Sequence, residues 1–578
     1  MDVATRNRLK FASAALTCAV LSASFTAPAN AAAPEAYAAV DRSGGERFPA
    51  KPSRPAPSKQ INPDDGGPLR GAFVVPQTVL EPLKLQQLLA ADAAAALASP
   101  NKILRAGVGR SLEMSADSGN WYDVPTGRVW LAEIVSPEAF GLRVQFTQVA
   151  LPKNAELAVT LVGLGEAAER IEWIDADPKL RGEIVSGVVP GERVRIEYFA
   201  PRGSFQPAEY ALPFRIAGVQ HFYRDPLTGE PWETQGAGGC NNDVACHPAW
   251  STASKAIARV TFVKNGDSYL CSGQLLNTQN SDLTPYWLTA NHCLSTQTAA
   301  ATAQFFWRYQ TPRCNATPPR LVGVETSTGA TLLSTGAASD YTLLMVEGGL
   351  PTGLTWVGWT SATPSDGTSS ASIHHPAGDY KRISFGSKAA ITSCGGRQHV
   401  RVAWNDGPTE GGSSGAGIFR ADTQQLYGQL HCGRSACGSE TSDDYGEFAA
   451  TYPQIASLLT AGSDDAFDHN DSCATARPVT AGTHAGRIVK ILDPDWYAIK
   501  VPVGKSLKTT LAFTNGNGDI DAALYTHCNG SPVASSTGTG NTEMLSVTNR
   551  TGAALTYYLR VYLYADTRNS YSLTVDSP

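Results

Sequence analysis

The chain has 578 residues, more than one domain uses, so several are expected. Charged residues make up 17% and the net charge is −6, which favours neither nucleic acid nor an anionic membrane surface as a partner. Arg6, Arg8 and Lys10 precede an apolar run from Phe11 to Phe25, and Ala29-Asn30-Ala31 supplies small residues for signal peptidase. Residues 1–31 are therefore expected to be a cleaved signal. That predicts a secreted, extracellular protein with no membrane span after signal removal.

Residues 32 to about 70 are rich in Ala, Pro and Ser and read as extended linker. Leu80, Leu83, Leu85, Leu88 and Leu89 among alanines predict a helix within 79–98. Alternating runs follow at 129–135, 142–146, 157–162 and 194–198, the period of half-buried strands. Residues 32–235 thus comprise a Pro-rich linker and a mainly β domain. Their place after a signal suggests a pro-region that acts as folding aid and inhibitor. The alternative is a binding domain retained in the mature protein.

Of the 11 cysteines, Cys18 lies in the signal. The others are Cys240, Cys246, Cys271, Cys293, Cys314, Cys394, Cys432, Cys437, Cys473 and Cys528, an even set that reads as disulfides in an exported protein. None falls between 32 and 239, which marks a boundary. No Cys-x-x-Cys pair or His-rich cluster suggests a zinc site, so no metal is expected.

From 236 to 461 short strands broken by Gly and Pro predict an all-β double barrel, with Trp287, Trp404 and Phe419 as core aromatics. Three segments carry chemistry. Leu288-Thr289-Ala290-Asn291-His292-Cys293 holds a histidine at the end of an apolar run. Ala338-Ser339-Asp340-Tyr341-Thr342 places an aspartate at a strand mouth. Gly411-Gly412-Ser413-Ser414-Gly415 sets a serine on a glycine-rich turn. A serine hydroxyl needs a base to take its proton, and a carboxylate orients the imidazole. His292, Asp340 and Ser414 occur in the chain order of the chymotrypsin class. The amides of Gly412 and Ser414 can converge on one point as an oxyanion hole. No metal or organic cofactor is needed for this chemistry. The last stretch, 465–578, has its own cysteine pair and alternating runs at 557–563 and 569–575, and predicts a small β-sandwich.

These segments, with Ile373-His374-His375-Pro376, Lys381-Arg382-Ile383-Ser384, Gly428-Gln429-Leu430-His431 and Ser442-Asp443-Asp444-Tyr445-Gly446, resemble the lysyl endopeptidases, secreted bacterial serine proteases of the chymotrypsin fold. The C-terminal stretch resembles the bacterial pre-peptidase C-terminal domain through Asn470-Asp471-Ser472, Asp495-Trp496-Tyr497, Gly518-Asp519-Ile520-Asp521 and the 569–575 ending. The first resemblance implies His292 as general base, Asp340 as its orienting carboxylate and Ser414 as nucleophile. It implies disulfides Cys240–Cys437, Cys246–Cys314 and Cys271–Cys293. Cys473–Cys528 then pair by domain, and Cys394–Cys432 remain.

Pro408 stands where trypsin carries its pocket aspartate, so a basic side chain needs another carboxylate. The resemblance supplies Asp443, with Trp404 and His431 walling the cleft. The expected function is cleavage of protein or peptide substrates after lysine through an acyl-enzyme. His431 supports a rival, cleavage after glutamate. An inactive protease-fold binding or adhesion protein is the reading from another class. His374 and His375 are expected to be structural, and Asp519 and Asp521 to cap or solvate a turn rather than hold calcium. Residues 225–254 contain no Lys or Arg, so maturation at Arg224 or Lys179 requires trimming, or another protease.

Overall fold

The computed structural model describes residues 36–37, 40–41, 74–152, 154–161, 171–174, 184–204, 212–224, 237–319, 323–394, 397–460, 462, 465, 467, 470–490, 493–528, 531–564 and 568–576. The signal, Lys179 and almost all of the linker lie outside these residues. Within the linker, Ala36–Tyr37 and Val40–Asp41 pair with Trp359–Thr360 and Thr355–Trp356.

The N-terminal unit is a two-layer β structure behind one helix, Leu85–Ala98. One layer is built on Gly127–Val135, Arg193–Pro201 and Glu156–Leu161. The other contains Gly141–Thr147, Arg215–Phe222 and Leu104–Met114. Trp130, Ile134, Val194 and Ile196 from the first meet Leu142, Phe146 and Val219 from the second in one core. The strand Gly127–Val135 was expected to be half-buried. It is buried on both faces, because Val129 and Leu131 pack outward with Phe199 under Val75 and Tyr122.

The central region is all-β. Ile257–Lys264, Asp267–Leu275, Tyr286–Ala290, Gln304–Trp307, Ala330–Gly336 and Tyr341–Val346 curl into an open barrel. A second barrel closes completely. Gly417–Arg420, Ser369–His374, Arg382–Cys394, Arg397–Asp406, Ser442–Glu447 and Leu426–Gly433 pair in that order, and the last returns to the first. Closure removes the exposed edges that sheets otherwise present. The helix Phe448–Leu459 packs Phe448, Ile455 and Leu459 against the shared core, where Trp287, Trp359 and Phe419 are fully buried. This is the double barrel of the chymotrypsin class.

The C-terminal unit is a sandwich. One sheet contains Asp495–Val501, Leu555–Leu563 and Ile520–Tyr525; the other contains Gly482–Lys490, Arg568–Asp576, Ser506–Phe513 and Thr542–Thr548. Along Ser506–Phe513 burial alternates, with Leu507, Thr509, Leu511 and Phe513 inward, as period-two patterning requires. Cys473–Cys528 closes this unit. Disulfides also join Cys240–Cys437, Cys246–Cys314 and Cys271–Cys293. Cys432 is disulfide-bonded, while the side chain of Cys394 lies outside those described.

One junction positions everything that follows. Leu104–Met114 pairs with Arg215–Phe222 on one side and with Asp267–Leu275 of the open barrel on the other. The second layer of the N-terminal unit and the first barrel are therefore one continuous sheet.

Candidate active site

His292 follows the strand Tyr286–Ala290, and Cys293 ties that end to Cys271 on the adjacent strand. Asp340 precedes Tyr341–Val346, which pairs with Tyr286–Ala290, so pairing alone brings the two residues together. The Asp340 carboxylate accepts from His292 Nδ1 at 2.7 Å and from the His292 backbone amide at 2.9 Å. Burial alone would raise this carboxyl, but His292, by charge and hydrogen bond, and then His431 hold it below its ordinary value. On the other ring edge, His292 Nε2 lies 2.6 Å from Ser414 Oγ.

Ser414 comes from the second barrel, on the turn before Gly417–Arg420. The turn is clamped to the first barrel: Ser272 N–H donates to Ser414 O at 2.8 Å, and Ser272 Oγ donates to Gly412 O at 3.0 Å. Gly412 has φ +95°, a conformation that side chains with a Cβ rarely adopt, and a Cβ there would stand 2.8 Å from His375 O. The amides of Gly412 and Ser414 converge on one oxygen, the carbonyl of Lys102, at 2.6 and 3.3 Å.

Lys102 belongs to the N-terminal unit, and sequence reasoning missed it. Its side chain fills a pocket between the strands Arg397–Asp406, Leu426–Gly433 and Ser442–Glu447. The ammonium lies 2.8 Å from Asp443 Oδ1 and donates to Thr409 O at 2.6 Å, Thr409 Oγ1 at 2.8 Å and Ser435 O at 2.7 Å. Asp443 also accepts from Trp404 Nε1 at 2.6 Å and Thr409 Oγ1 at 2.7 Å. Burial pushes the Lys102 ammonium below its ordinary pKa; Asp443 opposes this by charge and hydrogen bond.

Strand register decides which acid faces the pocket. Val402 opposes Asp443 and Arg401 opposes Asp444, so the two carboxylates point to opposite faces. Asp444 turns out to pair with Arg401 at 2.8 Å, leaving Asp443 alone inside. Pro408 contributes no charge; its carbonyl accepts from Ser384 Oγ. Gly433 completes the wall, because a Cβ there would stand 1.8 Å from Asp443 Oδ1. Gly433→Ala should therefore raise KM for a substrate whose side chain enters this pocket at least tenfold with a smaller change in kcat, as overpacking of a rigid site costs ~1–3 kcal/mol. Steady-state kinetics check this; an unchanged KM would contradict it.

Trp404 and His431 make different contacts. Trp404 serves Asp443. His431 lies against the catalytic pair: its ring stacks on His292 with centroids 5.5 Å apart, and its Nε2 lies 3.8 Å from Asp340 Oδ2. Its Nδ1 is 2.7 Å from His399 Nε2. His399 was also missed, and no local motif marks it. Among the described residues, His292, Asp340 and His431 form the one cluster with ligand atoms close enough for a metal ion, all within 4.8 Å. Within it, His292 Nδ1 and an Asp340 oxygen already bond each other.

His374 is buried beneath the serine turn, with Nδ1 2.8 Å from Ser413 Oγ and Nε2 2.9 Å from Ser384 Oγ. Burial, then Lys102 and Arg382, push its pKa down to about 3; burial and Arg110 push His221 to about 4. Both stay neutral in the fold while the unfolded chain takes up protons below about pH 6.5. The unfolded state then binds more protons, so stability falls as pH drops from about 6.5 towards 4, by up to ~1.4 kcal/mol per pH unit per histidine. Denaturant midpoints of a Ser414→Ala protein at pH 7 and 4.5 should show the loss, and His374→Gln should lessen it. Equal midpoints would refute the account.

A family model described as lysyl endopeptidase, C-terminal domain, matches residues 234–449. The chain is 31% identical over 400 residues to a lysyl endopeptidase of Pseudomonas aeruginosa, covering 63% of this chain and 83% of that protein. It is 28% identical over 223 residues to secreted RxLR effector protein 73 of Plasmopara viticola, covering 36% and 52%. Among solved structures, a thermostable serine protease AL20 from an extremophilic microorganism has 16% identity and TM-score 0.27, covering 37% of this chain and all of that one. The HtrA-type protease AlgW with tripeptide has 18% identity and TM-score 0.28, covering 37% and 64%. With its closed barrel and this relationship to the Pseudomonas enzyme, the chain is a serine endopeptidase and belongs to the lysyl endopeptidase family.

Proposed function

We propose that this endopeptidase cleaves after lysine, with Ser414 as nucleophile, His292 as general base and acid, and Asp340 as the carboxylate that orients the imidazole. The observation that carries the reading is a lysine side chain seated on Asp443 while its own carbonyl meets the Gly412 and Ser414 amides. His292 Nε2 takes the Ser414 proton as Oγ attacks the carbonyl carbon, the two amides hold the developing oxyanion, and the proton passes to the leaving amine. Water then attacks the acyl-enzyme through the same base.

Lysine selectivity follows from charge. An ammonium in this pocket meets a carboxylate and two carbonyls, whereas a glutamate would meet Asp443, and an unpaired buried charge is very costly. His431 stacks on His292, which disfavours the glutamate reading. The disulfides support export, and the order of the chain supports a signal at 1–31, a pro-region at 32–235, a protease domain at 236–461 and a C-terminal domain of pre-peptidase type at 465–578. Initial rates on peptide amides ending in lysine, arginine or glutamate test the reading. Lysine should be preferred over glutamate by at least ~10³-fold in kcat/KM; equal rates, or a preference for glutamate, would overturn it.

A further inference from the structure

We propose that the N-terminal unit shuts the catalytic centre with a tethered substrate, that Lys102–Ile103 is the bond it presents to Ser414, and that this bond is a slow self-processing site. The inference rests on the lysine reading above.

The segment lies in the cleft as an extended substrate would. Before the bond, Gly433 N–H donates to Pro100 O at 2.9 Å, and Asn101 bridges Cys432 antiparallel. At the bond, the Lys102 side chain is in the charged pocket and its carbonyl is on the two amides. After the bond, Leu104 and Arg105 pair with Leu270 and Tyr269 of the open barrel. Ser414, Asp443 and Lys102 are all buried in this arrangement, so no second substrate can enter.

The same geometry slows the cut. The chain is clipped on both sides of the bond by Asp92, on the helix that leads into it. Asp92 takes Arg105 at 2.7 Å from beyond the bond, and Arg224 at 2.8 Å and the Tyr223 hydroxyl at 2.7 Å from just past the end of the neighbouring strand Arg215–Phe222. Leu104–Met114 is further held between two strands. When Ser414 attacks, the C–N bond to Ile103 breaks and the new amine takes the proton from His292, but that amine cannot diffuse away. It remains placed to attack the acyl-enzyme and remake the bond before water does. Hydrolysis, when it occurs, leaves a Lys102 carboxylate and an Ile103 amine on a nicked protein that the Asp92 contacts still hold closed. Arg224, one of the maturation points expected from sequence, is held by Asp92 in this state.

The test uses the full chain. Wild type, Ser414→Ala, Lys102→Gln and Asp92→Asn are purified, and the appearance of an Ile103 N-terminus is followed by sequencing and intact mass. Activity on a lysine amide is recorded from the first minutes. Wild type should nick at Lys102–Ile103 slowly and start nearly silent, and Ser414→Ala should stay intact. Asp92→Asn should nick at least tenfold faster and gain activity in step. Lys102→Gln should resist nicking yet start at least tenfold more active, because the plug loses its charge pair. Lys102→Arg checks that an effect of Lys102→Gln is not misfolding, since it should remain closed. If processed enzyme cleaves lysine peptides while Lys102–Ile103 stays intact in wild type and Asp92→Asn, or Lys102→Gln is as silent as wild type, the inference fails and the lysine reading stands. If processed enzyme does not prefer lysine, the reading itself fails.

Discussion

Replacing His292 with alanine is expected to lower kcat about 10⁶-fold, the scale on which a triad loses function when its base or nucleophile is removed. The reason lies in the contacts. Among the described residues, Ser414 Oγ is bonded to one base, His292 Nε2 at 2.6 Å, and without it the hydroxyl keeps its proton. Ser414→Ala should be as damaging, and the two losses should not add, because the residues act as one unit. Asp340→Asn should cost less, about 10⁴-fold. Asp340 accepts from both the backbone amide and Nδ1 of His292, and an asparagine offers only one accepting oxygen. Its amide would donate to Nδ1 and hold the wrong tautomer. Residual rate in all three variants comes from the Gly412 and Ser414 amides and from substrate binding. Pre-steady-state kinetics on a lysine ester check the series. A His292→Ala enzyme within tenfold of wild type would contradict it.

Asp443→Asn carries the second large effect. The change keeps the shape of the side chain but removes the charge that faces the ammonium at 2.8 Å. Breaking a buried ion pair on one side costs about 3–5 kcal/mol, which is roughly 10²- to 10³-fold or more in kcat/KM. The neighbouring carbonyls of Thr409 and Ser435 remain, so lysine keeps part of its binding. Arginine and uncharged residues should lose less than lysine, and selectivity should flatten rather than invert. Trp404 Nε1 and Thr409 Oγ1 hold the carboxylate, so Trp404→Phe should show a weaker version of the same change. An undiminished lysine preference in Asp443→Asn would remove Asp443 from the pocket's role.

Much of this molecule was legible in its sequence, for local reasons. The alternating runs at 142–146, 194–198 and 569–575 fall inside the strands Gly141–Thr147, Arg193–Pro201 and Arg568–Asp576, but only the last keeps alternate burial; Leu142, Arg143 and Val144 are all buried, so the first is covered on both faces. The helix expected within 79–98 begins later, at Leu85, because Gln77–Val79 is spent on pairing with Glu133–Val135. His292, Asp340 and Ser414 were visible because each sits in a short signature at a strand end.

What the sequence hid depends on distance along the chain. Lys102 meets Thr409 across 307 positions, and nothing in Asn101-Lys102-Ile103 sets it apart from other lysines. Only the insertion of Leu104–Met114 beside Asp267–Leu275 delivers it. His431 is expected to wall the cleft with Trp404; in the fold Trp404 bonds Asp443, while His431 stacks on His292 and His399. His399 reaches His431 through the pairing of Arg397–Asp406 with Ser442–Glu447, which in turn pairs with Leu426–Gly433.

The central claim is that Ser414 attacks bonds selected by Asp443. It is tested most directly by digesting an unstructured protein with processed enzyme, wild type beside Asp443→Asn, and reading every cut bond by mass spectrometry. The account predicts wild-type cuts after lysine that fade in the variant. Cuts after glutamate, or lysine cuts unchanged by the substitution, would contradict it.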